Sequence, residues 1–149
     1  TQTAADTPIA NNDFTLDGGF TYTPTSDAHF SLSMTPNGAN TDLTAIITQE
    51  STKIVMRRAQ KLTIPEVHQG VYDKLAVLKE LIARHGFSMD QVAYIGDDVN
   101  DLQALGAVGF SAAPADGMPP VLKTVRYVCK KKGGEGAVRE VADLILAAR

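Results

Sequence analysis

Sulfur pairing is absent from this chain: its one cysteine, Cys129, cannot form an internal disulfide, which suits a reducing compartment such as the cytoplasm. Cys129 follows Tyr127 and Val128 and reads as a buried core residue. Positive charge is scarce too, since 14 Lys and Arg against 17 Asp and Glu leave a net charge of −3. Nucleic acid and anionic membranes ask for a basic surface, so neither is expected as a partner. The one basic run, Lys130-Lys131-Lys132, reads as a solvated loop beside glycines. No apolar run approaches the ~18 residues of a membrane-crossing helix, and no signal-peptide pattern opens the chain. His29, His68 and His85 are scattered without metal-ligand spacing. There are no internal repeats. The expectation is a soluble, cytoplasmic, globular chain of one domain over residues 1–149, and 44% hydrophobic residues suffice for its core.

What is present is an alternation. From residue 43 onward, short apolar runs exchange with helical periodicity, which predicts an α/β fold with a doubly wound parallel sheet. Strands are expected at 43–48, 67–70, 92–95, 108–112 and 126–129. Ser51 can cap a helix that runs to Leu62 with Val55, Ala59 and Leu62 on one face. Asp73 can cap a second helix, which buries Leu75, Leu78 and Ile82 and stops at Gly86. A helix over 99–105, a short one opened by Pro119 and Pro120, and a closing amphipathic helix over 137–148 complete the series. The first forty residues differ. Phe20, Tyr22, Phe30, Leu32 and Met34 alternate with small polar residues around a turn, which predicts a small β-hairpin flap over about 19–34. Ahead of it, TQTAADTPIANND holds no run fit for a buried central strand.

Three features sit at predicted strand ends, where open α/β sheets place their ligand crevice. Thr48 offers a hydroxyl and a backbone N–H. Lys74, at a helix start, offers a point charge suited to phosphate. After the strand VAYI come Gly96 and then Asp97, Asp98 and Asp101, three carboxylates within five positions. Charges this close repel unless something positive stands among them. Hard oxygens of this kind suit Mg²⁺, and the set describes a metal-assisted phosphoryl site. Each residue also has a plainer reading. Thr48 can be only a strand end, Lys74 a solvated helix residue, Asp97 a helix N-cap, and Asp101 a partner of backbone or a neighbouring side chain.

The runs AIIT, KIVMRRAQKL, VHQGVYDKLAVLKEL, VAYIGDDVNDLQAL and GGEGAVREVADLIL together resemble one family over about residues 43–149. It is the capless 3-deoxy-D-manno-octulosonate 8-phosphate phosphatases of the haloacid dehalogenase superfamily, whose relatives act on nine-carbon sugar-acid phosphates. The resemblance implies a Mg²⁺-dependent phosphatase whose partner is a small-molecule sugar-acid phosphate, assembled as a homotetramer through the hairpin. It implies that Thr48 binds the transferring phosphoryl group and that Lys74 neutralises its charge. Asp97 would ligate Mg²⁺, with Asp98 and Asp101 supporting the metal or its waters. Gly134, within Gly133–Gly136, matches a tail that can reach a neighbouring subunit's active site and meet substrate. Arg139 just beyond it could meet substrate or lie on a helix surface.

The family's chemistry depends on Asp-x-Asp-Gly at the end of the first strand, with one Asp attacking phosphorus and the other acting as acid and base. The ungapped register puts Ala10 at the nucleophile, Asn12 at the acid/base and Asp13 at the glycine. A second register places Thr15-Leu16-Asp17-Gly18 there and restores only the acid/base carboxylate. The family's Gly-Arg after the threonine reads Gln49-Glu50, and its Arg-Asp-Gly loop reads Thr35-Pro36-Asn37. Two readings stay open. One is an active phosphatase whose working amino-terminal sequence differs from residues 1–42. The other is a pseudo-phosphatase kept for ligand binding or oligomerisation. A phosphoacceptor receiver domain also uses paired acids, Thr and Lys, but there the acids come first in the chain.

Overall fold

The computed structural model describes residues 30–33 and 43–148. Six strands, β1 (Phe30–Ser33), β2 (Leu43–Ile47), β3 (Glu66–His68), β4 (Val92–Ile95), β5 (Phe110–Ala113) and β6 (Tyr127–Val128), form one sheet in the order β3-β2-β1-β4-β5-β6. The pairs β2–β3, β4–β5 and β5–β6 are parallel, as the alternating pattern predicts. The exception is β1. It runs antiparallel to both neighbours at the centre of the sheet, with Ser33 opposite Leu43 on one side and Val92 on the other. Phe30–Ser33 therefore belongs to the main sheet, although the hairpin pattern assigns it to a flap. The connection to Leu43 is too short for a parallel crossover, and an antiparallel neighbour needs no crossover at all. The remainder of the expected hairpin lies outside the described residues, as do Ala10, Asn12, Asp13 and Asp17.

Helices cover both faces. On one face, Ile46, Ala93, Ile95, Phe110 and Ala112 pack with Ala59 of α1 (Lys53–Lys61) and with Val138, Val141 and Ile145 of α5 (Ala137–Ala147). On the other, Ala45, Ile47, Val92, Tyr94 and Ala113 pack with residues of three helices. These are Leu78 and Leu81 of α2 (Lys74–His85), Leu105 of α3 (Leu102–Ala107) and Val121 of α4 (Pro119–Thr124). Burial on both faces is why β2 and β4 read as continuous apolar runs and do not alternate. Among the described residues, no helix is long and apolar enough to cross a membrane.

The caps locate the site residues. Thr52, one position after the expected Ser51, caps α1 by accepting from the Val55 amide at 3.4 Å. Asp73 caps α2 by accepting from Ala76 at 2.9 Å, and Gly86 ends it in the left-handed region at φ 76°. Lys74 is thereby fixed as the first residue of α2, at the positive end of the helix dipole.

Cys129 is 3% exposed, and its thiol lies 3.7 Å from the Ala137 carbonyl oxygen. Burial, with the Glu140 charge adding to it, pushes the thiol up to about 12. The folded chain should accordingly resist a thiol reagent at pH 8 and expose one reactive thiol on unfolding in urea. Rapid labelling of the native protein would contradict this packing.

Candidate active site

Parallel strands β2, β3 and β4 end on the same side of the sheet, and a candidate residue follows each of them. Thr48 follows β2 and is 8% exposed. Its N–H donates to the His68 carbonyl at 2.9 Å, and its carbonyl accepts from Val71 at 3.0 Å. The backbone N–H that the sequence offered is thus spent on the sheet edge. The hydroxyl remains in play. Its oxygen accepts from the Glu50 amide at 3.1 Å, which leaves the hydroxyl proton to be donated.

Lys74 is 2% exposed, which sets aside the solvated-helix reading. Its Nζ lies 2.7 Å from Asp101 Oδ1 and 3.2 Å from Asn100 Oδ1. Asp101 is fully buried. Its Oδ1 also accepts from the Tyr94 hydroxyl at 3.0 Å, and its Oδ2 accepts from the backbone amides of Asp97 and Asp98, both at 3.2 Å. A carboxylate has about four lone-pair positions, and these four donors match them. Burial, reinforced by the Asp101 charge, raises the Tyr94 hydroxyl above the ordinary phenol range, so it stays protonated and donates. Backbone is drawn in closely here. A Cβ built on Gly96 would stand 2.5 Å from Asp101 Cβ, so this strand end requires glycine.

The positive charge that three clustered carboxylates demand is therefore Lys74, as far as Asp101 is concerned. Asp98 occupies the N-cap expected of Asp97 and accepts from Val99 at 2.6 Å, with its side chain exposed. Asp97 is half-buried, and its carbonyl accepts from Met118 at 2.8 Å. Gly134 stands on the loop after β6, where the neighbouring Gly133 amide donates to Asp116 Oδ1 at 2.8 Å on the loop after β5. The loop after β6 is also held by Glu140, which accepts from the Lys130 and Lys131 amides at 2.8 and 3.0 Å. Arg139 pairs with Asp143 at 3.0 Å on the exposed face of α5. Sequence reasoning missed Tyr94, Asn100 and Gln49. Tyr94 could have been found, because a tyrosine in an otherwise aliphatic buried strand needs a partner for its hydroxyl.

A buried ammonium, a hydroxyl and carboxylates follow the ends of neighbouring strands, and these are the kinds of group on which phosphoryl chemistry draws. The chain belongs to the haloacid dehalogenase-like hydrolase family, which residues 24–141 match. It is 48% identical over 105 residues to the 3-deoxy-D-manno-octulosonate 8-phosphate phosphatase of Yersinia pestis, over 70% of this chain and 56% of that protein. The chain thus spans little more than half the length of that relative. The Moraxella catarrhalis phosphatase of the same description, solved with magnesium, phosphate and KDO, is 34% identical with a TM-score of 0.70, covering 83% of each chain. The cobalt-bound enzyme of Haemophilus influenzae is 38% identical with a TM-score of 0.67, over 70% of this chain and 59% of its own.

Among the described residues, no group of three His, Cys, Asp or Glu side chains is arranged to hold a metal ion. Mg²⁺ does not require one, because it commonly takes one or two carboxylates and completes its shell with substrate phosphate and water. The hard oxygens of Asp97 and Asp98 fit that donor set in kind.

The site's geometry makes a graded stability prediction. Asp101→Ala leaves Lys74 buried without its carboxylate and should cost about 3–5 kcal/mol. Tyr94→Phe removes one hydrogen bond and should cost about 1 kcal/mol. Urea unfolding checks both; equal losses would show that the ion pair is not what holds this loop.

Proposed function

We propose that this chain is a phosphatase-type domain that binds a sugar-acid phosphate such as 3-deoxy-D-manno-octulosonate 8-phosphate, with Mg²⁺ as cofactor. The observation that carries this reading is the buried Lys74, held near the ends of the parallel strands by an equally buried Asp101. Desolvating a charge is costly, and an ammonium kept at a strand edge is suited to meet an anion there. In this reading the Thr48 hydroxyl donates to one phosphoryl oxygen and Lys74 Nζ draws another toward the amino terminus of α2. Asp97 and Asp98 are the residues that would hold Mg²⁺, and Asp101 acts through Lys74. The metal, when bound, supplies further charge neutralisation of the phosphoryl group. The sugar's chain length is left to the rim. A homotetramer in the cytoplasm is the expected assembly, and Gly134 would then contribute to a neighbour's site.

A second reading has its own support. The family's attacking carboxylate belongs at the end of a strand at this edge, whereas β1 runs the other way and brings its start there. That orientation favours a pseudo-phosphatase that retains the phosphate site without the nucleophile. Losing a nucleophile costs turnover on the order of a million-fold while binding can survive.

Phosphate release and ligand binding, each measured with Mg²⁺ and with chelator, separate the two. Metal-dependent turnover well above background supports the active enzyme. Binding without turnover supports the pseudo-enzyme, and loss of both sinks the phosphate site. In either supported case Thr48→Val should weaken the sugar phosphate about ten- to a hundredfold, the value of a hydrogen bond to a charged group.

A further inference from the structure

Gln49 and Asn100 meet next to the buried Lys74, whose Nζ Asn100 also contacts. Asn100 Nδ2 donates to Gln49 Oε1 at 2.7 Å, joining the loop after β2 to the turn after β4. Those strands flank β1, so their ends stand roughly 10 Å apart at two strand spacings, and the two side chains bridge that span. The orientation of this bridge is forced. Lys74 can only donate, so the Asn100 oxygen must face Nζ and its amide nitrogen must face outward to an acceptor, which Gln49 supplies. Asn100 thus presents its negative end to the ammonium and spends its donor on Gln49. A glycine at position 49 would leave the span open.

We infer that Gln49 is an affinity-setting residue of this crevice: its bridge to Asn100 turns an amide donor away from the incoming anion and must open for a phosphate group to reach Lys74. With the bridge released, the Asn100 amide can rotate and donate to a phosphoryl oxygen. The inference rests on the phosphate-site reading above. Gln49 is exposed and Asn100 half-buried, so breaking their bond should leave the fold intact.

The test is titration of the full chain with inorganic phosphate by calorimetry, alongside thermal unfolding. Gln49→Gly should bind phosphate about two- to tenfold more tightly than the parent chain, with an unchanged Tm. Gln49→Glu should bind more weakly, since a carboxylate holds the Asn100 donor harder and repels the anion. Equal or weaker binding by Gln49→Gly overturns the inference while leaving the phosphate site standing. Absence of phosphate binding in both the parent chain and Gln49→Gly overturns the site and the inference together.

Discussion

The pairing of Lys74 with Asp101 is the constraint on which the rest of this molecule turns. Two opposite charges, 2% and 0% exposed, meet at 2.7 Å at the end of a parallel sheet. Neither can be removed alone without stranding the other in a medium that solvates charge poorly. Their contact therefore fixes the start of α2 against the turn after β4, and the remaining oxygen of Asp101 gathers the amides of Asp97 and Asp98 around it. Gly96 is glycine because this gathering leaves no room for a side chain. Burial on this scale is a poor way to gain stability and a good way to aim a charge. In the proposed reading, that aimed ammonium is what an entering phosphate would meet.

The centre of the sheet tells a second story. In a doubly wound fold the central strand delivers its carboxy-terminal residue to the crevice between its neighbours. Here that place is held by Phe30–Ser33 in the antiparallel sense, so the same edge receives the strand's beginning. The flanking strands β2 and β4 keep their direction, their hydrogen bonds and the residues at their ends. If the proposed site is right, phosphate recognition and phosphate cleavage are separable properties of the scaffold, because different strands would carry them. Thr48, Lys74 and the Asp97 loop all follow from the flanking parallel part of the sheet.

Much of this was legible in the sequence. The parallel strands announced themselves as apolar runs because both faces are covered, and α2 did so through Asp73 and Gly86, whose conformational roles leave little choice. Thr48 and Lys74 were legible as strand-end and helix-start residues. The direction of β1 was not, since FSLS alternates equally well in a flap hairpin and in a sheet, and direction is set by loop length and neighbours. Nor was the division of labour among the three aspartates. Spacing alone cannot tell a metal ligand from a counter-ion, and the deciding fact is that Asp101 folds back beneath its own turn to meet Lys74 from 27 positions away. Gln49 was visible as a departure from the family, but its reach to Asn100 spans 51 positions and depends wholly on the fold.

The central claim is that the Lys74–Asp101 pair builds a phosphate site rather than a purely structural knot. A crystal structure of the chain grown with inorganic phosphate and Mg²⁺ tests it most directly. The account predicts a phosphate within hydrogen-bond distance of both Thr48 Oγ1 and Lys74 Nζ, with Asp101 still bound to Lys74 and the metal against Asp97. A phosphate bound elsewhere, or a crevice in which Lys74 stays turned wholly toward Asp101 and Asn100 at saturating phosphate, would contradict it.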